Sequence, residues 1–341
     1  MSPIISAAAA LAASAAAVVA AGVVLARSSD VIAARTHLGR VWVGSIFLAA
    51  ATSLPELLTD ISAVRIGAFD LAAGDLFGSG MANMLILAAI ALRPGAQLFR
   101  RAALDHTLSA ALASVMTGIA AIAILLAPQT TVLGLGAGSL VLLVAYLMGT
   151  RLLFLHSALV QEAGTTVELG APIVGGKDGK RLPSLGWALG QFLVATAVII
   201  IAAPIFASSA ARIAELTGLA TSFVGTLLVG ITTSLPELVT SIAAVRIGAL
   251  DLAVGNLFGS NAFNMVVFAP LDLAAGGVPL LAAVSSVHVV TALVVIVMMA
   301  VALGATVYRT KVPGARVETF ALLIVAIYVV GMYFVYRASG A

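Results

Sequence analysis

The chain has no cysteine, which excludes disulfides, thiolate metal sites and cysteine nucleophiles and leaves the redox compartment undetermined. Charge is almost as scarce. Asp, Glu, Lys and Arg make up 9% of the 341 residues, against roughly 25% in soluble domains. The four histidines, His37, His106, His156 and His288, are scattered and show no metal-ligand spacing. What fills the chain instead is apolar: 62% of residues are hydrophobic and the mean hydropathy is +1.18. The apolar runs are continuous rather than alternating, which excludes a β-barrel and leaves an all-α polytopic membrane protein. The net charge of +3 and pI near 9.5 then reflect basic cytoplasmic loops rather than nucleic-acid binding.

A helix needs about 20 apolar residues to cross a bilayer. Ten segments qualify, near 4–26, 41–65, 71–92, 105–126, 131–154, 185–207, 219–245, 251–271, 280–304 and 317–336. The first lacks the basic start and cleavage site of a signal peptide, so it is counted as a span. Placing Lys and Arg on alternating sides puts 14 on one face and only Arg65, Arg212 and Arg337 on the other. The positive-inside rule makes the first face cytoplasmic, with both termini outside. The expected organisation is a first five-helix half at 1–155, a cytoplasmic linker at 156–184 and a second five-helix half at 185–341. Because five is odd, the second half enters the membrane in the opposite sense, as an inverted-topology repeat. The expected location is a prokaryotic cell (inner) membrane.

The two halves carry the same sentence. Residues 52–83 read TSLPELLTDISAVRIGAFDLAAGDLFGSGMAN and residues 233–264 read TSLPELVTSIAAVRIGALDLAVGNLFGSNAFN, a shift of 181 with 23 of 32 positions identical. In each, a proline inside an apolar segment removes one helical N–H, so Pro55 leaves the Ala51 carbonyl and Pro236 the Thr232 carbonyl without a donor. Such backbone must be buried in protein or line a wet cavity. Thr52 and Glu56 are four apart on one helix face, as are Thr233 and Glu237. Ser79 with Asn83, and Ser260 with Asn264, repeat that spacing on a second helix. Hydroxyls, amides, carboxylates and loosened carbonyls are hard oxygen ligands suited to Na⁺ and Ca²⁺. A glutamate near the bilayer midplane is costly, and two at matching positions point to function. Two carboxylates are neutralised by one Ca²⁺, two monovalent ions or two protons, and ions sharing these ligands must compete.

The motif [GAT]-T-S-L-P-E followed by G-N-x-x-G-S-N-x-x-N, present twice, resembles the paired α-repeats of the calcium/cation antiporter superfamily, especially sodium/calcium exchangers. The resemblance covers about a fifth of the chain closely. It implies that Thr52, Glu56, Ser79, Asn83, Thr233, Glu237, Ser260 and Asn264 coordinate the ions, joined by backbone carbonyls near Ala49 and Gly230. Ser53 and Ser234 of the same motifs are accessory candidates. It also implies exchange of several Na⁺ for one Ca²⁺, with the first and sixth helices sliding across the rest. The chain departs from the family pattern at several places. Ala51 and Thr232 stand where glycine is usual, Gly80 where asparagine is common, and Asn264 where potassium-dependent relatives carry aspartate. Asp75 replaces an asparagine that its mate Asn256 retains, and Asp60 lies opposite Ser241. Asp75 either adds charge near the outer mouth or caps the start of its helix, and Asp60 lies in the outward vestibule or relays a proton. Arg65 with Asp70, and Arg246 with Asp251, read as interfacial charges beside short turns, and His288 reads as a packing residue.

The leading expectation is an antiporter exchanging Na⁺ for Ca²⁺ by alternating access, within the lipid bilayer, without a cofactor, nucleic acid or evident obligate protein partner. H⁺ in place of Na⁺ is the alternative, because the same glutamates titrate. The hydroxyls of Thr52, Ser79, Thr233 and Ser260 favour Na⁺. An intramembrane enzyme is disfavoured because no nucleophile or metal triad accompanies the glutamates.

Overall fold

The computed structural model describes residues 3–93, 105–162, 182–216, 233–308 and 319–338. The first half contributes α1 (Pro3–Thr36), α2 (Arg40–Arg65), α3 (Phe69–Ala91), α4 (Asp105–Leu126) and α5 (Ala137–Glu162). The second contributes α6 (Leu185–Leu216), α7 (Leu235–Arg246), α8 (Leu250–Ala274), the short α9 (Leu280–Ala283), α10 (Val287–Tyr308) and α11 (Thr319–Ala338). Nine described helices are long and apolar enough to cross a membrane. Of the expected span at 219–245, the helical part from Leu235 is described, and the rest lies outside the described residues. The architecture is that of an all-α polytopic membrane protein built as two five-helix halves of inverted topology. Large apolar side chains such as Leu126, Leu147, Leu193, Ile201, Val330 and Phe334 lie on the outside of the bundle, where lipid rather than water is their solvent.

The repeat is visible in the turns. Gly67 and Gly248 both adopt left-handed backbone, φ 79° and 75°, which glycine takes without steric cost. In each turn a six-to-one bond closes the helix, Ala68 N to Ala63 O at 2.9 Å and Ala249 N to Ala244 O at 2.8 Å. These turns reverse the chain so that α3 and α8 run back beside the proline helices α2 and α7. Helix α8 threads the centre, packed against α2, α3, α4, α5 and α7. One apolar core joins α3, α4, α8, α10 and α11. A second gathers α1 and α6 with parts of α2, α7 and the start of α8.

Several boundaries differ from the sequence expectation, among them the ends of α5 and α6, which run to Glu162 and Leu216. Helix α1 runs on to Thr36 instead of ending near 26. Ser28 returns its proton to the Leu25 carbonyl at 3.0 Å, and buried Asp30 takes Arg40 Nε at 2.6 Å. The span expected from 131 opens instead with a hairpin, Thr131–Val132 (β1) against Leu135–Gly136 (β2), and α5 starts at Ala137. Its two turn residues, Leu133 and Gly134, have φ 54° and 80°, as a two-residue hairpin requires. The span expected over 280–304 is split into α9 and α10 by extended backbone at Val284.

Buried Asp272 explains two of these. Its Oδ2 accepts from Gly136 N and its Oδ1 from Leu280 N, both at 2.7 Å, so one carboxylate fixes the hairpin and the start of α9. Asp272→Ala should lower stability by about 3 kcal/mol, because two charge-assisted bonds are lost and buried donors are stranded. The expected readout is a lower unfolding midpoint of the purified protein in detergent, with Asp272→Asn intermediate. An unchanged midpoint in both variants would show that the clamp contributes nothing.

Candidate cation-binding site

The motif prolines act differently in the two halves. In the first, α2 passes through Pro55 but contains a π-turn over Gly44–Leu48 just ahead of the motif. Such turns free backbone carbonyls and recur at functional sites. In the second, Ser234 leaves helical geometry (ψ 13°) and α7 begins with Pro236 in its first turn, where a missing N–H costs nothing. Glu237 therefore lies in the first turn of a helix, whose N-terminus favours negative charge.

Close approach brings α8 to α2. A Cβ on Gly259 would overlap the Ser45 backbone, and one on Gly255 would stand 3.0 Å from the Val41 carbonyl oxygen. At that separation Thr52 reaches across to α8, with Oγ1 3.2 Å from Asn256 Oδ1 and 3.4 Å from Ser260 Oγ. The same hydroxyl lies 3.1 Å from the Leu48 and 3.2 Å from the Ala49 carbonyl oxygen. The inverted repeat returns the contact: Thr233 Oγ1 donates to Asp75 Oδ1, also at 3.2 Å. Ser53 Oγ donates to Glu237 Oε1 at 3.3 Å, linking α2 to α7. On the far side Asn83 Nδ2 donates to Asn261 Oδ1 at 2.9 Å.

Thr52, Ser53, Glu56, Ser79, Asn83, Ser234, Glu237, Ser260 and Asn264 are all 3% exposed or less. The structure thus buries these expected side chains, with Thr233 partly exposed, and contacts between the halves join Thr52 to Ser260, Ser53 to Glu237 and Thr233 to Asp75. Gly230 lies outside the described residues. Glu56 is within electrostatic reach of Glu237, Asp75 and Asp60. Among the described residues none of these four carboxylates is paired with Lys, Arg or His. Among the described residues, Glu56 Oε2, Glu237 Oε2, Ser79 Oγ, Asn83 Oδ1, Ser234 Oγ and both polar atoms of Asn264 are buried with no hydrogen-bond partner. Ionised carboxylates accept and cannot donate, so burying them together without donors is costly. A hard cation relieves that cost, and Ca²⁺ takes six to eight oxygens. Among the described residues no three of His, Cys, Asp and Glu form a metal cluster. Neutral hydroxyl and amide oxygens lie beside the two glutamates in the set.

Several contacts were not foreseen. Asn256 and Asp75 are partners of the motif threonines, and Asp75 lies in the second turn of α3 rather than capping its start. The repeat alignment could have flagged them, because they occupy mated positions. Gly80, mate of Asn261, leaves room for it: Asn261 Nδ2 lies 3.5 Å from the Gly80 carbonyl oxygen, and a Cβ on Gly80 would press on Val295. One asparagine at this position thus serves both halves. Asp70 and Asp251 are more than interfacial charges. Asp70 accepts from Ser285 N at 2.7 Å and meets His288 Nε2 at 3.0 Å, while Asp251 meets His106 Nε2 at 2.9 Å. His288 also stacks on Phe77. The aspartates are 181 residues apart but the histidines 182, so a fixed shift hides the second pairing.

Because Gly259 sets the spacing of α2 and α8, Gly259→Ala should push Ser260 away from Thr52 and cost about 1–3 kcal/mol. The measurement is thermal unfolding with and without Ca²⁺. The expected outcome is a lower midpoint together with loss of most of the Ca²⁺-induced rise, and an intact rise would separate the helix spacing from the site.

The chain resembles known proteins in sequence and fold. The family described as sodium/calcium exchanger protein matches residues 6–155 and again residues 187–337. The inner membrane protein YrbG of Escherichia coli (strain K12) is 29% identical over 228 residues, 66% of this chain and 66% of that protein. The sodium/calcium exchanger MaX1 of Methanosarcina acetivorans is 39% identical over 80 residues, 24% of this chain and 23% of that protein. This chain therefore spans about two thirds of the length of the first and a quarter of the second. Solved structures of the sodium-calcium exchanger NCX_Mj superpose with a TM-score of 0.70 at 20% identity, covering 97% of this chain and 99% of that one. At that identity the likeness establishes the fold. The two matched segments take in most of the sequence, one in each half, and with them the chain belongs to the sodium/calcium exchanger protein family.

Proposed function

We propose that the chain is a secondary antiporter that exchanges Na⁺ for Ca²⁺ across a membrane by alternating access. The observation that carries this reading is the buried oxygen set in which Glu56 and Glu237, one from each half, lie among hydroxyls and amides with orphaned oxygens. One Ca²⁺ balances the two glutamates. Na⁺ ions balance them too, with Thr52, Ser79, Thr233, Ser260, Asn83 and Asn264 completing their shells and Ser53, Ser234 and the Ala49 carbonyl at hand. Two ion species that need the same oxygens exclude each other, which couples their movements. MaX1 and NCX_Mj are both named sodium/calcium exchangers, which supports the pairing of ions.

Alternating access needs two bodies and a seam. The α1/α6 pair packs in a core shared with parts of α2, α7 and the start of α8, separate from the larger core, and the candidate ligands on α2 and α7 lie on the helices it packs against. We read α1 and α6 as the sliding body, exposing the site to one face and then the other. Loop charge places both termini outside the cytoplasm and the segment between the halves inside it. The relation to YrbG supports a prokaryotic inner membrane as the location. With exchangers as relatives and no assembled nucleophile in this reading, the glutamates are ligands rather than an enzyme's acid and base.

The test is ⁴⁵Ca²⁺ uptake into proteoliposomes driven by an outward Na⁺ gradient and, separately, by an outward H⁺ gradient. Uptake is expected with Na⁺ and to fall about a hundredfold or more in Glu56→Gln and Glu237→Gln, since removing one member of a buried charge balance costs several kcal/mol. Uptake driven by H⁺ alone would replace Na⁺ with H⁺ as the coupling ion. Uptake with neither gradient in folded protein would reject Ca²⁺ exchange.

A further inference from the structure

A hydroxyl carries one proton and two lone pairs. It ligates a cation well only if the proton is given to another acceptor, leaving the lone pairs toward the ion. The two motif threonines face this requirement, and the structure answers it in two different ways.

For Thr52 the answer is a chain of hydrogen bonds with a fixed direction. Thr240 Oγ1 donates to the Pro236 carbonyl at 2.7 Å, so its oxygen is free to accept. Asn256 Nδ2 then donates to Thr240 Oγ1 at 3.1 Å and to Ser241 Oγ at 3.2 Å. That fixes the amide's orientation and turns its Oδ1 to Thr52, where it joins the Leu48 and Ala49 carbonyls as an acceptor for the hydroxyl proton. The mated positions differ on the Thr233 side. Thr59, mate of Thr240, makes the same bond to its proline carbonyl but is exposed, and Ser241 is replaced by Asp60, which cannot donate when ionised. An asparagine at 75 would have lost the donor-accepting hydroxyls that hold Asn256. The residue found there is Asp75, whose carboxylate accepts in either orientation and needs no amide to be fixed.

Resting on the antiporter reading, we infer that Asn256 and Asp75 are positioning residues that set the proton direction of Thr52 and Thr233 and so turn both hydroxyl oxygens into cation ligands. The sequence asymmetry between them follows from the neighbours available in each half. Outer partners of this kind orient ligands, and their loss typically weakens metal affinity about 10–100-fold.

The experiment is equilibrium ⁴⁵Ca²⁺ binding, with displacement by Na⁺, on the full chain in detergent. Asp75→Ala and Asn256→Ala are expected to weaken affinity about tenfold or more, by the same outer-partner argument. Thr233→Val should weaken it comparably, and Thr233→Val with Asp75→Ala should be no worse than either alone, because Asp75 acts through Thr233. Asp75→Asn should weaken affinity less than Asp75→Ala, since one of the amide's two orientations still turns Oδ1 toward Thr233. Full additivity of the pair, or Asp75→Asn as weak as Asp75→Ala, would mean that charge rather than orientation matters and would overturn the inference. Unaltered affinity in Asp75→Ala would do the same. If Asp75→Ala does not fold, Asp75→Asn and the Asn256/Thr52 pair carry the test. Failure of the antiporter reading is separately visible, as Ca²⁺ binding that survives Glu56→Gln with Glu237→Gln.

Discussion

Everything at the centre of this molecule follows from acceptor oxygens being buried in a membrane without donors to match. Water would satisfy them outside, and an arginine would satisfy them in a soluble core. Here Glu56, Glu237, Asp60 and Asp75 lie within apolar helices, and among the described residues none has a basic partner. An unpaired charge in low dielectric is costly by several kcal/mol, so the arrangement persists only where something positive completes it. The same logic explains why the surrounding groups are hydroxyls and amides rather than lysines. A fixed cation would settle the balance permanently and leave nothing for a mobile ion to do.

The two-fold relation between the halves sets where that ion would lie, and its failures are as informative as its successes. Most of the site repeats faithfully, down to the matching 3.2 Å contacts of Thr52 and Thr233. It breaks where side chains from both halves compete for one space. Asn261 faces Gly80, where an added Cβ would press on Val295. Asp75 faces Thr233 where Asn256 faces Thr52 because the neighbours that would hold an amide are absent in the first half. Duplication supplies symmetry, and packing then removes it residue by residue.

Much of this was legible in the sequence. Apolar runs revealed the spans, loop charge the inversion, and a fixed shift of 181 the mated Thr, Glu, Ser and Asn positions. Those signals are local or periodic. What escaped depends on partners far apart in the chain. The hairpin before α5 and the break before α10 look like continuous apolar sequence until Asp272 takes Gly136 and Leu280, and Asp70 takes Ser285. The His106–Asp251 and His288–Asp70 pairs were hidden by a single-residue offset. The extension of α1 past its apolar run depends on Asp30 finding Arg40. In each case a carboxylate with a partner elsewhere in the chain overrides what hydrophobicity alone suggests.

The division into two cores bears on how such a site could open to either face. Helix α1 meets its neighbours largely through small side chains, with Ala21, Gly22 and Ala26 buried and a Cβ on Gly22 only 2.7 Å from a methyl of Val239. Small residues let helices approach closely and make a comparatively smooth surface. In lipid, displacing one helix along another exposes no apolar area to water, so the hydrophobic penalty that holds soluble cores rigid is absent. What resists the motion is then polar. Arg35 ties the end of α1 to the Leu182 and Pro183 carbonyls before α6, so the two helices are coupled. The Asp30–Arg40 pair ties α1 to the start of α2, on the other side of the seam. In the proposed cycle the α1/α6 body is joined within itself by one arginine and latched to its neighbour by another, so a shift exchanges the second tie and keeps the first. The candidate ligands on α2 and α7 stand at that boundary, where in the same proposal a small displacement changes which face they see.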